Sequence, residues 1–176
     1  MTDTHDLDLP MDDEAQRIST GSEGLDNILG GGLDPNRMYL YEGSPGSGKT
    51  TIALQFLLEG VRRGERVLYV TLSETKAELE LVAKRHGWSL DGIDVFELVS
   101  PETSLDPELE LTVLHPAEME LSETTQQVFD RVSETNPTRV IFDSLSEMRL
   151  LAQSPLRYRR QVLALKHFFT TRRCTV

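Results

Sequence analysis

One short run of residues has the types and spacing that bind phosphate: Gly43-Ser44-Pro45-Gly46-Ser47-Gly48-Lys49-Thr50. It fits the template G-x-x-x-x-G-K-[ST], in which glycines let successive backbone N–H groups converge on phosphate oxygens. Lys49 would reach the outer phosphates, and the Thr50 hydroxyl would ligate Mg²⁺. With the adjoining Thr51, this phosphate-binding loop is the predicted nucleotide-binding set.

The segments on either side of the loop predict how it is held. Residues 38–41 are apolar and rich in strand formers, and residues 51–58 have a helical pattern. This order of strand, loop and helix directs the positive end of the helix toward the phosphates. A flexible turn rich in glycine and serine, the alternative interpretation, requires neither a preceding strand nor Lys49-Thr50 at the start of the helix.

Two acidic residues follow predicted strands elsewhere in the chain. Residues 66–72 form an apolar strand followed by Ser73-Glu74, and residues 139–142 form another that leads directly into Asp143. Because the carboxyl ends of parallel strands meet at one edge of a sheet, both acids are expected beside the phosphate-binding loop. Asp143 is a candidate Mg²⁺ ligand, although an aspartate also commonly ends a strand. Glu74 lies at the carboxyl end of a strand and at the start of a helix, where the helix dipole favours an acid.

The remaining pattern alternates strands with helices, which predicts an α/β fold with a mostly parallel sheet flanked by helices. Further expected elements are a short helical face at residues 25–29, a helix over 75–86, a strand over 95–99, a helix over 122–134 capped by Ser122, a helix over 155–173, and the start of a strand at 174–176. Residues 100–120 are expected to be loop, with a short strand near 111–114.

Composition and charge restrict the possible partners. No apolar run is long enough to cross a bilayer, and the N-terminus lacks the features of a secretory signal, so a cytoplasmic location is expected. Residues 1–16 carry six acids and no base, which predicts a disordered acidic tail, whereas residues 155–176 carry six bases and no acid. The net charge of −11 argues against binding to nucleic acid.

Several segments together resemble the KaiC-like branch of the RecA-type P-loop ATPases, over residues 17–176. The matching segments are Ser19-Thr20-Gly21 with Leu25-Asp26, Gly30-Gly31-Gly32, the phosphate-binding loop, residues 69–75 and residues 140–144. The resemblance implies a RecA-like core that binds ATP and Mg²⁺ and hydrolyses ATP. It further implies that Lys49 and Glu74 are catalytic, that Thr50 and Asp143 hold the metal, and that the protein assembles as a homo-oligomer, a ring or a dimer, in signalling with a protein partner.

The chain departs from the resembling proteins in two respects. Ser73-Glu74 stands where the clock proteins have two adjacent glutamates, so Glu74 would act without a second one. The family also continues past the position of Val176 with further strands and basic residues, so the domain is expected to be incomplete at its C-terminal end. These departures leave open a nucleotide-gated binding module with little turnover, or a kinase that phosphorylates its own Ser or Thr residues. The preference for ATP over GTP rests on the resemblance.

Overall fold

The computed structural model describes residues 17–98 and 117–176. The acidic tail predicted at 1–16, most of the loop predicted at 100–120 and the strand predicted near 111–114 lie outside these residues. In chain order the elements are α1 (Glu23–Ile28), α2 (Lys49–Arg62), β1 (Val67–Thr71), α3 (Lys76–Arg85), β2 (Ile93–Glu97), α4 (Ala117–Thr135), β3 (Arg139–Asp143), α5 (Leu145–Ala152) and α6 (Pro155–Thr171).

The three strands form a parallel sheet in the order β2-β1-β3. Every residue of the central strand β1 is buried, as its continuous apolar sequence predicts. Helices α2 and α3 pack on one face of the sheet through residues such as Leu54 and Leu79, while α4, α5 and α6 pack on the other through residues such as Val128, Met148 and Leu165. The predicted α/β class is therefore confirmed.

Two further segments extend the sheet beyond β3 by backbone hydrogen bonds. Thr175 forms a parallel bridge with Arg139, and Val176 donates to the carbonyl of Arg37 at 2.9 Å and accepts from the N–H of Tyr39 at 2.7 Å. Residues 174–176 thus begin a strand, as predicted, between β3 and residues 37–39. Residues 38–41, which were predicted to form a strand, do not form one of the three strands. This part of the chain is joined to the sheet by the two hydrogen bonds that Arg37 and Tyr39 make with Val176.

The helices differ from the predicted ones mainly at their ends. Thr75 caps α3 in a capping box, accepting from the N–H of Glu78 at 3.3 Å while the Glu78 carboxylate accepts from the N–H of Thr75 at 2.8 Å. The prediction that Ser122 caps a helix is wrong, because α4 already begins at Ala117, within residues expected to be loop. Helix α5 was not predicted, since its eight residues are too few for a clear periodic pattern.

Across residues 17–98 and 117–176, no helix combines the length and apolar character needed to span a bilayer.

Candidate functional site

The phosphate-binding loop leads directly into the N-terminus of α2. Gly48 is the N-cap of this helix with φ 87°, and Gly46 has φ 79°, so both adopt the left-handed conformation that glycine tolerates best. A Cβ atom at Gly43 would lie 2.5 Å from the Ser47 Oγ and 3.3 Å from the Ser47 Cβ, so a larger residue there would require the Ser47 side chain to move. The first turn of α2 leaves N–H groups without helical acceptors, and they lie where phosphate oxygens could accept from them.

Lys49 folds back over the loop. Its Nζ donates to the carbonyl oxygen of Gly43 at 2.9 Å and to that of Ser44 at 3.1 Å. The ammonium group is thereby held above the loop at a site open to solvent. An anion bound there would compete with these carbonyls as a stronger, charged acceptor.

Asp143, the last residue of β3, lies opposite Thr71 in the parallel register between β1 and β3. One of its carboxylate oxygens, Oδ2, accepts a hydrogen bond from the phenol of Tyr69 at 2.8 Å. The Tyr69 side chain is fully buried, and Asp143 is partly exposed. Asp143 therefore has one oxygen fixed by the protein and a second oxygen available to the site.

Glu74 follows β1 in a turn that Thr71 stabilises. The Thr71 hydroxyl donates to the Glu74 carbonyl at 2.7 Å and accepts from the Glu74 N–H at 2.9 Å. These two bonds fix the backbone of Glu74 and leave its carboxylate free to interact elsewhere. The Glu74 Oε2 atom is buried and has no hydrogen-bond partner among the described residues.

The surroundings of Glu74 favour its protonated form. Burial, followed by the negative charges of Asp143 and Glu78, raises the pKa of Glu74, while Lys49 acts in the opposite direction. Glu74, Asp143 and Lys49 are thus close enough to influence one another, although they come from three separate segments. The structure brings together the residues that the sequence predicted at this edge of the sheet.

The oxygen atoms of Thr50 and Asp143 are suited to Mg²⁺. Mg²⁺ prefers hard oxygen donors and is commonly held by one or two protein ligands together with water and substrate phosphates. Within the described ranges there is no group of three or more His, Cys, Asp or Glu residues that could hold a metal ion. The Thr50 hydroxyl and the Asp143 carboxylate are hard oxygen donors that could supply two ligands to Mg²⁺, with water or phosphate supplying the rest.

Asp26 organises the segment that precedes the loop. It accepts from the Ser19 hydroxyl at 2.5 Å and from the N–H and hydroxyl of Thr20 at 2.7 Å each. Burial opposes ionisation, but these hydrogen bonds outweigh it and hold the pKa of Asp26 below its usual range. Gly21, with φ 81°, brings the chain against the Gln55 carbonyl of α2, where a Cβ would overlap. The Ser-Thr-Gly motif therefore fastens this segment to the helix that carries Lys49 and Thr50.

Arg139, which the sequence reading did not single out, lies below the site at the start of β3. It is fully buried and pairs with Glu65 through two bonds of 2.8 and 2.9 Å. It also donates to the carbonyls of Ser19 at 2.7 Å and Phe56 at 3.0 Å. A single side chain thus joins the Ser-Thr-Gly segment, α2 and β3.

Replacing Glu74 with glutamine is expected to change how thermal stability depends on pH. A carboxyl whose pKa is raised in the folded state contributes most to stability below its unfolded pKa, near 4.5, and loses that contribution as pH rises through the folded value. The Glu74→Gln variant should therefore melt higher than the wild type at neutral pH, and the difference should shrink as pH falls toward 4.5 and change little below that value. Melting curves across this range measure the effect, and a constant difference would contradict it.

A loop with the spacing Gly-x-x-x-x-Gly-Lys-Thr that leads into a helix N-terminus, beside a parallel sheet with acidic residues at the ends of two neighbouring strands, is characteristic of RecA-type P-loop ATPases. Residues 18–176 match the family described as "ATPase: KaiC". The chain belongs to this KaiC family of ATPases, which confirms the resemblance seen in the sequence.

Similar curated proteins include circadian clock and DNA repair proteins. The circadian clock oscillator protein KaiC of Picosynechococcus is 36% identical over 75% of this chain and 24% of its own length. The DNA repair protein RadA of Aquifex aeolicus is 35% identical over 74% of this chain and 29% of its own length. A UPF0273 protein of Pyrococcus horikoshii is 28% identical over 91% of this chain and 66% of its own length. The chain thus spans about a quarter of the length of the clock and repair relatives.

Proposed function

We propose that this domain binds Mg·ATP and hydrolyses it. The observation that carries this proposal is the Glu74 carboxylate, which is partly buried beside Asp143 and Lys49 and has an Oε2 atom without a hydrogen-bond partner. A buried, unpaired acceptor is costly, and where one persists a functional role is a common reason. Membership of an ATPase family supports ATP as the nucleotide.

Binding would use the loop and the start of α2. The backbone N–H groups of Ser44 and of residues 46–51 would donate to the phosphates, and Lys49 would exchange its carbonyl acceptors in the loop for the outer phosphate oxygens. Thr50 and Asp143 would hold Mg²⁺, which, when bound, neutralises charge on the phosphates.

Glu74 would orient the water that attacks the terminal phosphorus. Its Oε2 would accept a hydrogen bond from this water, the new bond would form between the water oxygen and the γ-phosphorus, and the bond to the β–γ bridging oxygen would break. ADP and inorganic phosphate leave, and the proton of the water passes to the carboxylate or to the released phosphate. A raised pKa makes Glu74 a better proton acceptor than a solvated glutamate.

The Glu74→Gln variant is expected to retain ATP binding and lose hydrolysis. The amide keeps the size of the side chain but cannot accept the proton, and the loss of a general base typically costs about 10²- to 10⁴-fold in rate. Phosphate release measured at saturating Mg·ATP gives the rate, and titration with a fluorescent ATP analogue gives the affinity. We expect a rate at least about 100-fold lower with an affinity within about twofold of the wild type.

Glu80→Gln is the matched control, because Glu80 is an exposed glutamate on α3 with no place in the proposed site. It should hydrolyse ATP at the wild-type rate. Wild-type turnover by Glu74→Gln would remove the catalytic role of Glu74. Binding without turnover by the wild type would favour a nucleotide-gated module over an ATPase.

We also propose that nucleotide binding controls self-association, as a ring or dimer acting in cytoplasmic signalling. Three neighbouring side chains just before the loop support this idea, since Tyr39, Leu40 and Tyr41 are 37%, 72% and 52% exposed. Exposed apolar residues grouped in this way often mark an interaction surface. Gel filtration with light scattering, with and without Mg·ATP, tests the idea, and an unchanged mass would reject it.

A further inference from the structure

Two hydroxyl groups of the central strand β1 contact the two acidic segments of the proposed site. The Tyr69 phenol bonds the Asp143 side chain, and the Thr71 hydroxyl bonds the backbone of Glu74. We propose that Tyr69 is a positioning residue that holds the Asp143 carboxylate in the orientation that receives Mg·ATP. This inference rests on the proposed function and adds to it a residue outside the loop and the two acids.

Strand geometry places Tyr69 and Asp143 on the same face of the sheet. Side chains two positions apart in a strand point the same way, so Tyr69 and Thr71 share a face, as do Ile141 and Asp143. The parallel register pairs Tyr69 with Ile141 and Thr71 with Asp143. Tyr69 and Ile141 both pack in the cluster formed with α2, so this is the face on which the phosphate-binding loop begins its helix. The phenol therefore reaches Asp143 from within the core.

The contact limits how Asp143 can rotate. The terminal torsion of an aspartate is broad and roughly twofold, so a free carboxylate samples many orientations. A hydrogen bond of 2.8 Å from a fully buried phenol to Oδ2 fixes one oxygen and directs the other toward the site. Hydrogen bonds to a charged acceptor are among the strongest in proteins. Tyr69 would thereby reduce the cost of ordering Asp143 when Mg²⁺ arrives.

The phenol can serve only as a donor to this carboxylate. An ionised carboxylate accepts hydrogen bonds and donates none, so the phenol O–H is the donor in this contact. Its ring packs among buried residues including Leu54, Phe56 and Leu57. A phenylalanine would keep this packing and remove only the hydroxyl, which separates positioning from a role in the core.

The test compares wild type and Tyr69→Phe by the Mg²⁺ dependence of ATP binding. A fluorescent ATP analogue is titrated in EDTA and then at increasing Mg²⁺ concentrations, with melting curves to establish that both proteins fold. Loss of a residue that orients a metal ligand typically lowers metal affinity by about 10- to 100-fold. We expect Tyr69→Phe to need at least about tenfold more Mg²⁺ for half-maximal tightening, with unchanged affinity in EDTA.

Three comparisons decide the result. Tyr158→Phe, a change at a partly buried tyrosine on α6 away from the site, should leave the Mg²⁺ midpoint unchanged. Once Asp143 is replaced by alanine, adding Tyr69→Phe should have no further effect on the midpoint. In the wild type, NMR should detect a slowly exchanging Tyr69 hydroxyl proton that disappears in Asp143→Ala, a measurement that does not depend on the folding of the phenylalanine variant.

The outcomes separate this inference from the proposed function. A Mg²⁺-dependent wild type with the same midpoint in Tyr69→Phe would overturn the role of Tyr69 and leave the nucleotide site intact. A wild type that binds ATP without regard to Mg²⁺, or not at all, would overturn the proposed metal site and with it the role of Tyr69.

Discussion

An alanine at position 49 is expected to abolish measurable ATP binding at micromolar nucleotide. The Lys49 ammonium already makes two hydrogen bonds to loop carbonyls, which hold it over the site where the phosphates would bind. In the proposed complex the ammonium would exchange these carbonyls for phosphate oxygens. Each hydrogen bond from a charged group contributes about 1.5–3 kcal/mol, so the loss of two such bonds to the nucleotide should weaken binding by about a hundredfold or more. Titration with a fluorescent ATP analogue in the presence of Mg²⁺ measures the change.

Lys166→Ala is the matched control for this variant. Lys166 is exposed on α6, so replacing it with alanine removes the same charge without changing the loop. It should bind ATP like the wild type, and any nucleotide-dependent change in oligomeric mass should persist in it and vanish in Lys49→Ala. Equal affinities for the two variants would mean that the loop does not hold the outer phosphates through Lys49.

Replacing Arg139 with methionine is expected to lower the free energy of unfolding more than any other substitution proposed for this protein. The fully buried guanidinium pairs with Glu65, whose side chain is 22% exposed, and also satisfies the carbonyls of Ser19 and Phe56. Removing one partner of a buried ion pair typically costs about 3–5 kcal/mol, because the other charge remains without compensation. Urea denaturation should therefore give a free energy of unfolding lower by about this amount.

The control for Arg139 is Arg62→Met, which removes an arginine whose side chain is 70% exposed; its partner Glu59 is 11% exposed but keeps Arg63 as a second partner. Because the removed charge is solvated and Glu59 stays paired, this variant should unfold close to the wild type. Adding Glu65→Leu to Arg139→Met should recover part of the loss, since two apolar side chains leave no unpaired charge. A stability loss no greater than that of Arg62→Met would show that the pair does not hold the fold together.

Local patterns in the sequence were sufficient to predict the phosphate-binding loop and the two acidic residues of the candidate site. The glycines and Lys49 of the loop lie within residues 43–49, and both candidate acids come at the ends of apolar strands, so the parallel-sheet rule alone could predict that they converge. The order of the strands and the pairing of residues 174–176 could not be predicted in this way. They depend on contacts between distant parts of the chain, for which a single sequence offers no pattern.

Tyr69 and Arg139 were missed for a related reason. Tyr69 lies within an apolar strand and was counted as a strand former, and Arg139 is the first residue of another, where a charged side chain is usually solvated. A weak signal was present for Tyr69. A tyrosine in a wholly buried strand needs an acceptor for its hydroxyl, and the acids predicted at the end of the sheet were candidate acceptors. The partner of Arg139, Glu65, is distant in the sequence, and no pattern around either residue predicts that they pair.

The position of residues 174–176 in the sheet also has a consequence for the order of folding. Residues 37–39 join the sheet through Val176, and the nearby contact between Asn36 and Thr175 spans 139 positions of sequence. Contacts of such long range form slowly, because the entropy of closing the intervening chain is lost before the contact is gained. The strand side of the phosphate-binding loop is therefore expected to dock late, after β1 and β3 have paired, so that a folding intermediate would have a formed core before it has a nucleotide site.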